Sequence, residues 1–95
     1  MNYEWDDEKA ILNLRKHGVD FRDAIGALED RNRLEQIDVG IEYGEERLQI
    51  IGMAHSSILF VVATMRSEDL CRIISARKAD RDEQDRYYAG DPEVW

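Results

Sequence analysis

The fold is decided by residues 47–76, whose sequence is RLQIIGMAHSSILFVVATMRSEDLCRIISA. Three runs within this stretch, 47–53, 58–65 and 70–76, are rich in β-branched and other apolar residues, a composition typical of strands. Short polar segments at 55–57 and 67–69 separate the runs. Because connections this short join antiparallel neighbours, the stretch predicts a three-stranded antiparallel meander.

The residues before the meander have the periodicity of helices. A first helix over 7–17 is predicted from apolar residues at helical spacing, an N-cap at Asp6 or Asp7 and a left-handed C-cap at Gly18. A second short helix is predicted to follow an N-cap at Asp20 and to end near Asp30. The apolar residues of the two helices are Ala10, Ile11 and Leu14, then Phe21, Ala24, Ile25 and Leu28.

The remaining segments complete an α+β pattern. Residues 2–5 alternate polar and aromatic side chains and predict a short edge strand, and Leu34, Ile37, Val39 and Ile41 predict a further extended segment. Residues 78–88 have few apolar side chains and predict a solvent-facing C-terminal helix that ends before Gly90. We therefore expect a mainly antiparallel sheet of about four to five strands, with the N-terminal helix pair on one face and the other face free to bind.

Composition limits the classes of function. The 95 residues suffice for a single domain, 1–95, and their 43% hydrophobic content suits a packed core. Thirteen Lys and Arg against 21 Asp and Glu give a formal charge of −8, which excludes a general nucleic-acid coat protein or a binder of anionic membranes. The single cysteine, Cys71, excludes an intrachain disulfide and a multi-cysteine zinc site, and the longest apolar run, 58–63, is too short to span a membrane. A cytoplasmic protein is expected.

Two sets of basic residues are candidates for a binding site. On the first helix Lys9, Asn13 and His17 follow one another four residues apart, with Lys16 beside them, so we expect a polar and basic stripe opposite a packed face of Ile11 and Leu14. Such residues at the end of a helix also act as ordinary stabilising groups.

The second set consists of arginines at the ends of the predicted strands, namely Arg47, Arg66, Arg72 and Arg77. Strand pairing predicts that Arg66 and Arg72 lie near one end of a hairpin and Arg77 near the opposite end, so the four do not share one pocket. Pairing with the abundant carboxylates is the alternative use of these arginines, and Glu46 beside Arg47 is one such partner.

Several motifs carry a resemblance to a known family. The opening run from Trp5 to Phe21 has the pattern W-D-x-x-K-x-x-x-N-x-x-K-H-G-V-x-F, and Glu46-Arg47, Ile51-Gly52 and the run RIISARKA at 72–79 follow in order, with Glu83 and Tyr87 after them. This arrangement resembles the BrnT family of bacterial toxins over about residues 3–88.

The resemblance implies a type II toxin of RelE-like fold, an endoribonuclease that inhibits translation under stress and that a BrnA-type antitoxin neutralises. It also implies that operator DNA is contacted only through the antitoxin and that two toxins assemble with two antitoxins. No membrane partner and no cofactor are expected.

Metal-independent RNA cleavage needs removal of the 2′-hydroxyl proton, stabilisation of charge on the phosphorus oxygens and protonation of the leaving oxygen. On the family motifs we expect His17 as acid or base, with Glu46 as the alternative base. The groups expected to hold the phosphate are Lys16, Arg47 and Arg66 or Arg77, and Trp5 or Tyr87 is expected to stack a base, with Lys9 and Asn13 as further substrate contacts.

Alternatives remain open for some of these residues and for the function. Packing of Trp5 against the first helix, or a backbone bridge made by Asn13, would give these two side chains structural roles. A non-catalytic protein-binding module that retains a toxin-like fold is the alternative function, and the negative charge favours it.

Overall fold

The structure, a computed structural model, describes residues 1–40 and 45–90. These residues form five strands and three helices. In chain order they are β1 (Asn2–Glu4), α1 (Asp7–His17), α2 (Phe21–Leu28), β2 (Leu34–Gly40), β3 (Glu45–Ala54), β4 (Ser57–Ser67), β5 (Leu70–Lys78) and α3 (Arg81–Ala89). Ile41, the last residue of the predicted extended segment, lies outside the described residues.

The described strands form one sheet in the order β1-β5-β4-β3-β2. The pairs β2–β3, β3–β4 and β4–β5 are antiparallel, which confirms the predicted meander. The edge strand β1 pairs in parallel with β5, but only opposite residues 70–72. The predicted α+β architecture is confirmed, and a mainly antiparallel sheet with this helix arrangement is consistent with a RelE-like fold.

The predicted caps define the helix ends. The Asp6 carboxylate accepts a hydrogen bond of 3.0 Å from the Lys9 amide at the start of α1, and Asp20 does the same for the Arg22 amide of α2 at 2.9 Å. Gly18 ends α1 with a φ of 72°, a conformation that glycine adopts without steric cost.

The first face of the sheet, which α1 and α2 cover, carries the main core. Its buried side chains come from α2 and from the middle of β3, β4 and β5, and include Phe21, Ala24, Ile50, Val61 and Ile73. The backbone of α2 at Ala27 lies directly against β3 at Gly52. A side chain there is not tolerated, because a Cβ atom at position 52 would overlap the carbonyl group of Ala27. The Ile-Gly pair in the sequence therefore has a packing role.

The second face is partly covered by α3. Tyr87 and Ala79 pack there against Leu34, Ile51 and Ile58. The prediction of a solvent-facing C-terminal helix is wrong in this respect, because α3 has few apolar residues but places a buried tyrosine on the sheet. The part of this face near β1 and the start of β3 is not covered by the described helices and carries polar side chains.

Helix α1 has the reverse of its predicted orientation. Its one buried side chain is Asn13, which is 7% exposed, whereas Ile11 and Leu14 are 53% and 47% exposed. The physical reason is the short β1 strand, which leaves the outer edge of β5 without a strand partner at Ala76. The amide of Asn13 supplies that partner, since it donates to the Ala76 carbonyl and accepts from the Ala76 amide.

Candidate functional site

Three arginines meet on the uncovered part of the second face, and we call Arg47, Arg66 and Arg72 the arginine cluster. Arg47 shares its face with Ile51, four residues on, because side chains alternate along a strand. Arg72 lies between Cys71 and Ile73, which both point into the first-face core, so Arg72 points to the second face. Arg66 lies at an irregularity in the β4–β5 pairing, a feature that can redirect a side chain.

Two glutamates connect the members of the arginine cluster. Glu45 lies 3.9 Å from Nε of Arg47 and 3.6 Å from Arg66, and Glu4 lies 3.8 Å from Arg66 and 3.7 Å from Arg72. The carboxylates offset the repulsion among the guanidinium groups. These four distances are longer than the about 2.7–2.9 Å of a direct charge-assisted hydrogen bond, so the contacts are ion pairs without a direct hydrogen bond. Since the arginine side chains are 25–48% exposed, a phosphate group from solvent can approach them.

Arg77 forms a separate basic position on the same face. Its guanidinium makes two hydrogen bonds to the carboxylate of Glu83, of 2.7 and 2.9 Å, and lies 4.3 Å from the ring centre of Phe60. The hydrogen bond with Glu83 raises the pKa of Arg77 above its ordinary value. Arg77 pairs with residue 60 of β4 and Arg72 with residue 64, a separation of about 13 Å along the strand. The expectation that the four arginines do not share one pocket is confirmed.

The cations of α1 lie at the outer edge of the sheet. Lys9, Lys16 and His17 line a shallow pocket of about 240 Å³ whose floor includes Ile74 and Ser75 of β5. This stretch of β5 runs between Arg72 and Arg77. The basic residues of α1 therefore border β5 from its edge, whereas Arg72 and Arg77 of β5 itself point to the second face.

Two aromatic candidates lie away from the arginine cluster. Trp5 packs edge-on against Phe21 with 6.0 Å between ring centres, on the helix-covered side of the sheet. Tyr87 is buried, and its hydroxyl donates a 2.6 Å hydrogen bond to Asp30. Burial, with that hydrogen bond, raises the pKa of Tyr87 to about 12. Both rings have packing partners that account for their positions.

Two polar residues that we expected to contact the substrate or take part in the chemistry, Asn13 and Glu46, point elsewhere. The side-chain amide of Asn13 forms hydrogen bonds with backbone groups of Ala76 in β5 and of Val19. Asn13 therefore makes the backbone bridge that was expected from the sequence as its alternative role. Glu46 directly precedes Arg47 in β3, so the two side chains point to opposite faces. Among the described residues, Glu45 forms an ion pair with Arg47.

Sequence reasoning thus overlooked Glu45 and Glu4 as members of the site. The signal for Glu45 was available, because a residue two positions before Arg47 shares its strand face. Glu4 could not be found in this way, since its contact depends on the pairing of the first strand with the last.

Two features are absent from the described residues, a metal-binding group of side chains and a membrane-spanning helix. No group of three or more His, Cys, Asp or Glu side chains within 1–40 and 45–90 is arranged to hold a metal ion. In the same part of the chain no helix is both long and apolar enough to cross a membrane.

Comparison with known proteins identifies the family. A family model described as the ribonuclease toxin BrnT of type II toxin-antitoxin systems matches residues 5–83. The chain belongs to the BrnT family. Membership confirms the resemblance carried by the sequence motifs, and the BrnT family consists of ribonuclease toxins whose type II systems pair a toxin with an antitoxin.

A solved structure agrees with this assignment. The chain is similar to the crystal structure of the Brucella abortus ribonuclease toxin BrnT, with 26% sequence identity and a TM-score of 0.63. The match covers 85% of this chain and 99% of the Brucella chain. No curated protein matches the chain.

Proposed function

We propose that this BrnT-family protein is a metal-independent endoribonuclease that cleaves RNA on the second face of its sheet, inhibits translation and is neutralised by a BrnA-type antitoxin. The observation that carries the proposal is the arginine cluster. A chain with a formal charge of −8 gathers three guanidinium groups on the part of the second face that the described helices leave uncovered. A local concentration of positive charge in an acidic protein suits a phosphodiester ligand.

Phosphate binding is assigned to the arginine cluster and to Arg77. Arginine presents several N–H donors in one plane, which match the oxygens of a phosphate. Glu4 and Glu45 lie within 3.6–3.9 Å of the guanidinium groups and offset their mutual repulsion, so the cluster can assemble before RNA arrives. In the transition state the same groups stabilise the charge that develops on the phosphorus oxygens.

Proton transfer is assigned to a carboxylate, with His17 as the alternative group. Glu45 replaces Glu46 as the candidate base, because Glu45 lies on the arginine-bearing face within 3.6–3.9 Å of two cluster members. Lys16 and His17 approach from the edge of β5 beside Ser75. That edge lies two strands from β3 and four residues, about 13 Å, along the strands from Glu45, too far for both groups to act on one phosphodiester. We therefore propose His17 as the alternative acid or base for a phosphate bound at the edge, with Lys16 as its phosphate contact.

The wider assembly follows the family expectation. We propose that two toxins assemble with two antitoxins, that the complex contacts operator DNA through the antitoxin, and that the protein acts in the cytoplasm.

Cleavage of labelled RNA by purified, antitoxin-free protein tests the activity. Activity that persists in EDTA and leaves a 2′,3′-cyclic phosphate is expected from metal-independent attack by the 2′-hydroxyl. Cleavage that stops in EDTA and returns with a divalent cation would contradict the metal independence.

Substitution of single arginines tests the site. Arg47→Ala and Arg66→Ala should each lower the cleavage rate about 100-fold or more, the usual cost of removing one charge-stabilising donor. Arg81→Ala is the matched control, since Arg81 lies on α3 and its side chain is 92% exposed. Full activity in folded Arg47→Ala and Arg66→Ala proteins would refute the assignment.

The ion pairs of the cluster favour one alternative function, a non-catalytic protein-binding module. Glu4 and Glu45 partly neutralise the arginines, as a surface without an RNA ligand would require. A folded, antitoxin-free sample that leaves RNA intact but still binds its antitoxin would favour this alternative.

A further inference from the structure

Helix α1 carries two aliphatic side chains, Ile11 and Leu14, that no described part of the chain covers. Trp5 and Ala10, which are partly buried against the core, lie beside them, and we call these four residues the apolar patch. These residues line a shallow groove of about 420 Å³ together with Asp7, Asp20 and Arg22. The patch lies on the flank of α1 opposite to the pocket of Lys9, Lys16 and His17.

The exposure of the patch is unusual for a helix in a small globular domain. A surface helix normally turns its aliphatic side chains to the core and its polar ones to water. In α1 the inward position is taken by Asn13, and Ile11 and Leu14 remain about half exposed. Contiguous exposed apolar surface of this kind marks interaction sites.

The charges around the patch limit its occupant. Asp7 and Asp20 lie at the rim of the groove, and the cation there, Arg22, is paired with Asp20 at 2.9 Å. Residues 1–30 as a whole carry eight carboxylates and four Lys or Arg. RNA and a second copy of this acidic surface are both repelled, whereas a segment with apolar and basic residues is attracted.

We propose that the apolar patch is the docking surface for a basic amphipathic helix of the antitoxin. The inference rests on the proposed pairing with an antitoxin. Two apolar side chains of the bound helix would fill the groove between Trp5 and Leu14, and its Lys or Arg residues would face Asp7. The patch lies on the opposite side of the sheet from the arginine cluster, so this segment anchors the antitoxin without occupying the proposed RNA site.

A double substitution of the patch tests the docking surface. The toxin is mixed with its purified BrnA-type antitoxin, and affinity is measured by calorimetry. Ile11→Ser with Leu14→Ser should weaken binding about tenfold or more, because apolar residues at the centre of an interface carry much of its affinity. Ile37→Ser is the matched control, since Ile37 is 57% exposed and lies on β2 at the far edge of the sheet.

Charge reversal at the rim gives a second measurement. Asp7→Lys should weaken binding and reduce its dependence on salt, whereas Glu68→Lys, in the exposed β4–β5 turn, should leave both unchanged. The RNA cleavage of the double patch variant should match that of the unaltered toxin, but more antitoxin should be needed to stop it.

The outcomes separate the docking surface from the function on which it rests. Unchanged affinity of a folded Ile11→Ser, Leu14→Ser toxin would overturn the docking surface alone. Failure of the unaltered toxin to bind the antitoxin would overturn the antitoxin pairing and the docking surface with it. Equal weakening by Ile37→Ser would also overturn the assignment, because the effect would not be specific to the patch.

Discussion

Replacement of Asn13 by alanine should strongly destabilise the protein, although the residue lies on a surface helix. The side-chain amide donates hydrogen bonds of 3.1 Å to the Val19 carbonyl and 2.8 Å to the Ala76 carbonyl, and it accepts one of 3.1 Å from the Ala76 amide. All three bonds are buried; two join α1 to the open edge of β5, and the third joins α1 to Val19 in the segment before α2.

The size of the effect follows from these three bonds. Alanine would leave three buried backbone groups without partners, and each lost bond costs about 1 kcal/mol or more. We therefore expect a loss of about 3 kcal/mol in the free energy of unfolding. In a domain of this size 1 kcal/mol shifts the Tm by roughly 4–8 °C, which corresponds to a fall of about 12–24 °C.

Urea unfolding followed by circular dichroism, with thermal scans, measures the change. Leu12→Ala is the matched control, because Leu12 is the neighbouring residue on α1 and is 61% exposed. That variant should lose no more than about 0.5 kcal/mol. A loss below about 1 kcal/mol in Asn13→Ala would refute the reasoning, since it would mean that water replaces the bridge at little cost.

Three further outcomes are expected from the packing and the titrating groups. Gly52→Ala should destabilise the protein by about 2 kcal/mol or more, because the added methyl group forces α2 away from β3. The control Gly26→Ala should change stability far less, and urea denaturation of the two variants measures both effects. Tyr87→Phe should cost about 1–2 kcal/mol through the lost bond to Asp30, and Tyr88→Phe, on the exposed side of α3, should cost little in the same assay. Stability should be lost in acid, because the pKa of Asp30 is lowered: burial alone would raise it, but hydrogen bonds from Tyr87 and from two backbone amides outweigh burial. The Asp30 carboxylate therefore stabilises the fold above its ordinary pKa of 3.8, and this stabilisation is lost as the pH falls through its lower pKa in the folded protein. Asp30→Asn should reduce the dependence of the free energy of unfolding on pH, measured by denaturation at a series of pH values.

The elements that local signals define were predictable from the sequence. Aspartate before an apolar helical period and glycine after it located both ends of α1. Alternating β-branched runs with short polar connections located β3, β4 and β5. These signals act within a few residues of the chain, so no knowledge of the tertiary fold was needed.

The face that α1 buries could not be predicted in the same way. Periodicity identifies an apolar side of a helix but does not reveal that a sheet edge elsewhere needs a hydrogen-bonding partner. That need arises because β1 pairs with only three residues of β5 and leaves Ala76 beyond its reach. The competing requirement to satisfy buried backbone groups then placed Asn13 inward and Ile11 outward.

The candidate site was predictable in part. Arginines at the ends of neighbouring strands pointed to Arg66 and Arg72 as near neighbours, and their shared partner Glu4 confirms this. Glu46 is adjacent to Arg47 in sequence but points to the opposite face of β3, because side chains alternate along a strand; Glu45, two residues before Arg47, is the carboxylate that pairs with it. The aromatic residues Trp5 and Tyr87 could not be assigned from sequence, since stacking on a base and packing in a core use the same ring.

The parallel pairing of β1 with β5 has a consequence for folding during translation. Glu4 is translated 68 residues before Arg72, yet the two meet in adjacent strands. Contacts so distant in sequence form only after the later segment has emerged. An unfinished chain therefore lacks the charge arrangement to which we assign RNA binding, and a growing toxin cannot display it until β5 has left the ribosomal tunnel.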